Sequence, residues 1–567
     1  MAKFEDFVCC RPCNSNVIHC LSHETVTRGI EMHEHSNPCD RMLRWAICVL
    51  LLLLPRVASA QTVGKPSVDA PNVSERRGEL QLKAARSNPL ALYHFLLAMP
   101  KGADLHNHLS GAIYAESWIR AAAEDNLCIN SAALAFAKSE GLAEPKSTSN
   151  PPQPVCGDGK VPAAQAFKDQ RLYDALVDAF SVRSFVPSTG VSAHDHFFDA
   201  FTKFGGTDRR HFGEWIDEVA TRAAAQNEQY LELMETPDFS HTAAIARQLG
   251  WQDDFAHFRE ALLARGLRDD VAPALMHLDQ AEALRRQRER CGQPDELPAC
   301  KVEIRFLYQV LRGFPKEQVF AQTLLGFETA SVDPRFVGIN FVMPEDGYTS
   351  MTDYALHMKM VAYLHGVYPT VHISLHAGEI APGLVTYEGL CCHIRLAVEE
   401  AHAERIGHGV DIMYEDRPHE LLKELAAKHV MVEINLTSNE SILGVSGNQH
   451  PFPVYRQFHV PVALSTDDEG VSRINLTHEY VRAVETYGLG YADLKQMVRT
   501  GIEHSFLPGA GLWREPDSFT RAASACSRDT LGGDKPTSAC AAFLKSSEKA
   551  QQQWELERRF RAFESNF

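Results

Sequence analysis

His106 and His108 stand two residues apart in Asp104-Leu105-His106-Asn107-His108. On a β-strand, residues i and i+2 face the same side, so both imidazoles can reach one cation. Taken alone, such a pair in a chain of 26 histidines also reads as chance or as a surface pair. His376 ends the apolar run Val371 to Leu375 and is followed by Ala377-Gly378-Glu379. A glycine there lets the backbone turn tightly, which can set the imidazole on a metal and Glu379 on a substrate. The bland alternative is a core histidine beside a helix-capping glutamate. His408 lies between glycines in Arg405-Ile406-Gly407-His408-Gly409, an arrangement expected to leave its ring accessible from above. Asp467 and Asp468 end the run Val462 to Thr466. Two adjacent carboxylates after an apolar strand are costly unless a cation or hydrogen-bond donors receive them. A helix N-cap by one of them would leave the other unexplained. Three imidazoles and a carboxylate with an open position suit a single Zn²⁺ in its catalytic mode. Such an ion makes water a nucleophile near neutral pH, and an acid beside it and a base behind it would complete a hydrolase.

These residues need a scaffold that brings distant segments to one place. Eight short apolar, β-branched runs alternate with long helical stretches: Ala103 to His108, Tyr230 to Glu235, Val302 to Val310, Phe336 to Met343, Val371 to His376, Arg405 to Val410, Val430 to Leu436 and Pro461 to Thr466. That is the arithmetic of a (β/α)8 TIM-type barrel, and the chemically interesting residues fall at the C-terminal ends of the runs, where barrel enzymes keep their sites. The stretch between the first two runs is expected to be a helical insertion, with a surface loop over Ser147 to Gly159. A helical pattern from Leu80 to the Met99-Pro100 break precedes the barrel, and Ser546 to Phe567 reads as a charged amphipathic helix docked on it. The expected organisation is an upstream extension over 1–41, a signal peptide over 42–60, a linker over 61–80, the barrel over 81–515 and a C-terminal extension over 516–567.

The 567 residues are 45% hydrophobic and 23% charged, a globular composition that excludes a disordered or collagen-like chain. A net charge of −17 argues against a protein that embraces a phosphate backbone, so nucleic acid is not an expected partner. Trp45 to Leu54 is too short to span a bilayer. With Arg44 before it and Ala58-Ser59-Ala60 after it, it reads as a secretory signal peptide, with no membrane association after cleavage and a secreted or periplasmic product. Met42 stands where such a peptide would start. Of the 14 cysteines, eight follow Gln61. In an oxidising compartment the simplest pairs are Cys128 with Cys156, Cys291 with Cys300, and Cys526 with Cys540; the adjacent Cys391 and Cys392, after an apolar strand-like run, are expected as buried free thiols.

The segments Met99 to Gly111, His376 to Glu379, Arg405 to Gly409 and Ser465 to Asp468, in this order, resemble the adenosine deaminase family of the amidohydrolase superfamily, and the signal peptide with the long insertion resembles its secreted members. The likeness runs from about residue 97 to 510. It implies zinc-dependent hydrolysis of adenosine and 2′-deoxyadenosine to inosine-type products and ammonia. It further implies that His106, His108, His376 and Asp467 hold zinc, that His408 orients and deprotonates the attacking water, that Glu379 protonates purine N1, and that Asp468 bonds N7. The chain departs from the family pattern at Ser110, where an acidic residue usually contacts the ribose hydroxyl. It departs again at Met343, where a glycine amide usually meets N3 and where Pro344 follows with no N–H, and at Glu469, which replaces a proline. Ser438 and Asn439 match family residues read here as structural. Deamination of another aminopurine nucleoside or nucleotide stands beside this reading, as do a secreted nucleoside-binding or signalling protein without turnover and an amidohydrolase acting on amides or esters. A phosphate-bearing substrate would want Arg or Lys at the mouth.

Overall fold

In the computed structural model, strands form where the apolar runs lie, and nearly all are buried on both faces, as parallel barrel strands are. The structure describes residues 73–141, 154–188, 190–207 and 209–567; the expected extension, signal peptide and most of the linker lie outside them. The barrel strands are β1 (Gly102–His108), β2 (Glu228–Glu235), β3 (Glu303–Leu311), β4 (Phe336–Val342), β5 (His372–Ala377), β6 (Arg405–His408), β7 (Met431–Ile434) and β8 (Val462–Leu464). All neighbours pair in parallel and in chain order. The ring closes through a parallel bridge between Asn107 and Asp467, with His108 N donating to Asp467 O at 2.9 Å and Asp467 N to His106 O at 2.8 Å. The closing hydrogen bonds are therefore made by the metal-ligand candidates themselves.

Before the barrel, one expected helix is two. Val73–Ala85 begins inside the stretch read as linker, and Pro89–Ala98 follows a break at Asn88, whose side chain accepts from Leu90 N and Ala91 N. Proline at the first helical position, after a capping asparagine, restarts a helix that it could not have continued. The segment between β1 and β2 is mainly helical, including Ala115–Glu124, Gln170–Ala179, Ala193–Phe204 and Phe212–Ala225. It also holds a small antiparallel sheet that periodicity did not reveal, with Cys128–Asn130 central between Ala135–Ala137 and Lys160–Pro162. The Cys128–Cys156 disulfide ties its central strand to the following loop.

The C-terminal chain packs under the barrel, at the end opposite the site. Helix Glu548–Glu564 joins Arg499 through Glu557 at 2.7 and 2.8 Å, Lys495 through Glu564 at 2.7 Å, and Arg305 through Glu548 at 2.7 Å. Cys526–Cys540 closes a separate small core with Leu512, Trp513 and Trp554. Cys291 pairs with Cys300. Cys391 and Cys392 are a correction: they are bonded to each other and half-buried. They follow a 3₁₀ turn (Tyr387–Leu390), not a strand, and lie at a bend where Cys392 has φ 82°. Among the described residues no helix is long and apolar enough to cross a membrane.

Candidate active site

The strand ends place the chemistry. His106 and His108 leave the C-terminal half of β1, His376 lies near the end of β5, His408 ends β6, and Asp467 follows β8. Four ligand atoms, Nε2 of His106, His108 and His376 and Oδ1 of Asp467, lie 3.1 to 3.4 Å apart in the pairings His106–His376, His108–His376, His106–Asp467 and His108–Asp467. Ligands about 2.0 to 2.2 Å from one ion stand roughly 2.8 to 3.6 Å from their neighbours around it, so this donor set has the size and composition of a zinc site. Without a cation, three imidazole nitrogens and a carboxylate this close and this buried would be poorly satisfied.

Each ligand is fixed from behind. His106 Nδ1 bonds Glu433 Oε2 at 2.6 Å, His108 Nδ1 bonds Gln309 Oε1 at 2.8 Å, and His376 Nδ1 bonds Asn340 Oδ1 at 2.6 Å. Since these acceptors take the Nδ1 protons, every Nε2 is left bare toward the cluster. Ser438 Oγ donates to Asp467 Oδ2 at 2.5 Å. Glu433, Gln309 and Asn340 had no assigned role in the sequence, and Ser438 was read only as structural; their one signal was a polar residue inside or just after an otherwise apolar run. Gly407 is required by the same packing, because a Cβ there would meet His106 Cε1 at 2.5 Å.

His408 is fully buried rather than accessible from above. A hydrogen-bond chain sets its tautomer. Phe452 N–H donates to His450 Nδ1 at 3.1 Å, His450 Nε2–H to Asn439 Oδ1 at 2.9 Å, and Asn439 Nδ2 to His408 Nδ1 at 2.8 Å. A backbone N–H can only donate, so each later role follows, and the proton of the neutral His408 ring sits on Nε2, which faces Asp467 Oδ2 at 3.9 Å. Burial holds this ring neutral, pushing its pKa down to about 3. His408 therefore presents an N–H rather than a bare nitrogen at Nε2, a group that can donate to a water oxygen but cannot take a proton at that atom. Asn439 is more than structural.

Glu379 and Asp468 face the same cavity as acids. Burial first, and the neighbouring Asp467 charge second, raise both carboxyls well above the usual range. Asp468 Oδ1 is buried with no hydrogen-bond partner among the described residues. The cavity, about 650 Å³, is lined on the metal side by His108, His376, Glu379, Asp467 and Asp468 and roofed by Phe197, Phe198 and Phe201 of the insertion helix Ala193–Phe204. Ser110 and Met343 also line it. Met343 adopts φ 84°, the backbone region a glycine favours, and keeps the N–H that Pro344 lacks. His408 and Asp467 are likewise left-handed, at φ 71° and 62°. Such strain at non-glycine residues concentrates at functional sites. Glu469 has a partner that the sequence did not suggest: its Oε2 pairs with Arg222 at 2.6 Å, and Arg222 also donates to Ala112 O at 2.7 Å.

A (β/α)8 barrel with a three-histidine, one-aspartate cluster at its C-terminal mouth and two buried carboxyls of raised pKa beside it defines the class, a barrel with a candidate metal site at its mouth. The family model described as "Adenosine deaminase" matches residues 211–512, more than half of the chain, and the chain belongs to that family. The β1 pair His106 and His108 lies before the matched stretch. Among curated relatives, adenosine deaminase of Shewanella loihica is 35% identical over 136 residues, 24% of this chain and 38% of that protein. A Clostridium perfringens adenosine deaminase is 35% identical over 135 residues, 24% of this chain and 37% of its own length. The chain thus spans little more than a third of the length of the curated relatives it matches. Among solved structures, a Zn-bound amidohydrolase of Burkholderia ambifaria aligns over 74% of this chain and 88% of its own, with TM-score 0.45 and 18% identity. The N6-mAMP deaminase of Arabidopsis aligns over 73% and 95%, with TM-score 0.44 and 20% identity.

Proposed function

We propose that the protein is a zinc-dependent hydrolytic deaminase of an uncharged aminopurine nucleoside, adenosine or 2′-deoxyadenosine, releasing ammonia. The observation that carries this reading is the juxtaposition of the closely spaced His106, His108, His376 and Asp467 donors with two buried carboxyls whose pKa is raised, Glu379 and Asp468, on one cavity. Bound by those four residues, a zinc ion supplies the polarisation that makes water nucleophilic at neutral pH.

The protein's own groups do the rest. His408 holds the attacking water oxygen through Nε2–H. Asp468 donates to purine N7 and fixes the ring in the plane that presents C6 to that water. As oxygen adds to C6, Glu379 gives its proton to N1, so no negative charge builds on the ring. The tetrahedral carbon then carries one hydroxyl and one amino group. The hydroxyl proton passes to the amino nitrogen, the C–N bond breaks, and ammonia leaves behind a C6 carbonyl with hydrogen on N1. The first water proton returns to Glu379, closing the cycle.

The absence of Lys or Arg from the cavity lining favours a nucleoside over a nucleotide, and the lining carboxylate Asp199 pairs with Lys203 at 2.8 Å on its own helix. The four disulfides favour an oxidising compartment, consistent with export through the segment over 42–60. The test is the fall in ultraviolet absorbance at the adenosine band on mixing adenosine with the zinc-loaded protein, with and without chelator, and AMP in parallel. A chelator-sensitive fall with adenosine and little with AMP is expected. No fall with zinc bound would reject the substrate, and binding without ammonia release would favour a signalling protein.

A further inference from the structure

Glu379 must aim a proton at one ring nitrogen, yet no hydrogen bond holds its carboxyl among the described residues; His408 Nδ1 lies 3.6 Å away. What holds Glu379 is its backbone. The successive N–H groups of Gly378 and Glu379 both point at Glu345, donating to Oε1 and Oε2 at 2.9 Å each. Consecutive N–H groups around a left-handed residue make an anion-binding concavity, and Gly378 has φ +80°. Here the anion is a side chain from the loop after β4.

Glu345 is buried and is itself surrounded by donors. His393 Nδ1 bonds Oε1 at 2.5 Å, and Arg312 NH2 stands 3.7 Å from Oε2. Arg312, also buried, donates to His376 O and to Met343 O at 3.2 Å each, tying together the ends of β3, β4 and β5. The His393 ring is stacked on Tyr354 with centroids 3.7 Å apart and planes 1° apart. Burial would raise the Glu345 carboxyl, but the His393 bond and the Arg312 charge hold it down to about 2, so it is an anion at any working pH. Every group facing it donates, so an amide in its place would turn an N–H toward another N–H.

We propose that Glu345 is a positioning residue for proton transfer: by anchoring both N–H groups of the Gly378–Glu379 segment on one carboxylate, it fixes the direction in which Glu379 delivers its proton. The proposal rests on the deaminase reading. A displacement of the acid by about 1 Å costs on the order of 10²-fold in rate, so the effect falls on kcat and not on substrate or metal binding.

The experiment is a four-corner cycle of the full-length protein: wild type, Glu345→Gln, Glu379→Gln and the double variant, with kcat and KM for adenosine, zinc content and thermal midpoint measured for each. Glu345→Gln is expected to lower kcat by about 10- to 100-fold, with KM and bound zinc close to wild type. In the Glu379→Gln background the same change should cost less than about threefold, because its target is gone. An equal loss in both backgrounds, or parallel losses of zinc and thermal midpoint, overturns the proposal in favour of a merely structural role. Should Glu345→Gln fail to fold, His393→Phe keeps the stack on Tyr354 and removes one donor to Glu345, and a kcat loss that disappears in the Glu379→Gln background is again required. Absence of wild-type turnover overturns the deaminase reading and this proposal with it; wild-type turnover with additive losses overturns this proposal alone.

Discussion

Replacing Glu433 by Gln changes almost no volume and removes no candidate metal ligand, yet it should weaken zinc. Glu433 is wholly buried and meets His106 Nδ1 through Oε2 at 2.6 Å, and Arg405 Nε and Ser374 Oγ through Oε1 at 2.7 and 3.1 Å. Both oxygens accept, and Gln offers one acceptor where two are needed. If the amide nitrogen faces His106, the imidazole must move its proton to Nε2, where the cation binds. If it faces Arg405 and Ser374, buried donors are opposed, at a cost of about 1 to 3 kcal/mol. In both orientations the charge that raises the basicity of His106 is gone. Loss of such a carboxylate partner lowers metal affinity by about 10- to 100-fold, or about 1.4 to 2.7 kcal/mol. Competition with a zinc-binding dye at neutral pH measures this directly, with circular dichroism as the check on folding. A folded Glu433→Gln protein with affinity within about twofold of wild type would refute the view that the partner behind His106 sets the site.

Glu379→Gln should retain zinc and lose about 10²- to 10⁴-fold in kcat, whereas His106→Ala should lose the zinc; metal analysis showing equal zinc in both would undo that division of roles. The raised Glu379 carboxyl is assigned as the acid, so kcat should fall as pH rises through its raised pKa; a pH–rate profile falling only on the acid side would contradict the assignment. Arg222→Met leaves Glu469 buried and unpaired and should cost about 3 to 5 kcal/mol, while Arg222→Met with Glu469→Met should recover most of it; thermal denaturation showing equal losses would deny that the pair is a buried ionic unit.

Fold and ligands were legible in the sequence for a common reason. Parallel barrel strands are covered on both faces, so they appear as unbroken apolar runs, and a histidine or aspartate at the end of such a run stands out. His106, His108, His376, His408 and Asp467 were all visible in this way. The groups that orient them were not. Glu433 sits within β7 and Asn340 within β4, and nothing local says that their side chains point at His106 and His376 on other strands. The His408 tautomer depends on a backbone amide at Phe452, relayed through His450 and Asn439, and no residue spacing encodes such a relay. The Cys391–Cys392 bond was missed because the turn before it resembles a strand by composition.

The departures from the family pattern separate into two kinds once their surroundings are known. Glu469 is matched by Arg222, 247 positions away, which also grips the carbonyl of Ala112 at the end of the short helix that carries Ser110. That change is absorbed by a compensating residue and leaves Asp467 and Asp468 where the chemistry needs them. Ser110 has no such partner. Across the cavity from the metal side stand Asp199 and Thr202, on the helix whose phenylalanines roof the site, with Thr202 Oγ1 donating to Asp199 Oδ1 at 3.0 Å. On the proposed reading, Asp199 and Thr202 of the insertion are the candidates for the hydroxyl contact that Ser110 does not reproduce. On that reading the motifs at the strand ends carry the reaction, whereas the choice of substrate falls to a segment that contains none of them.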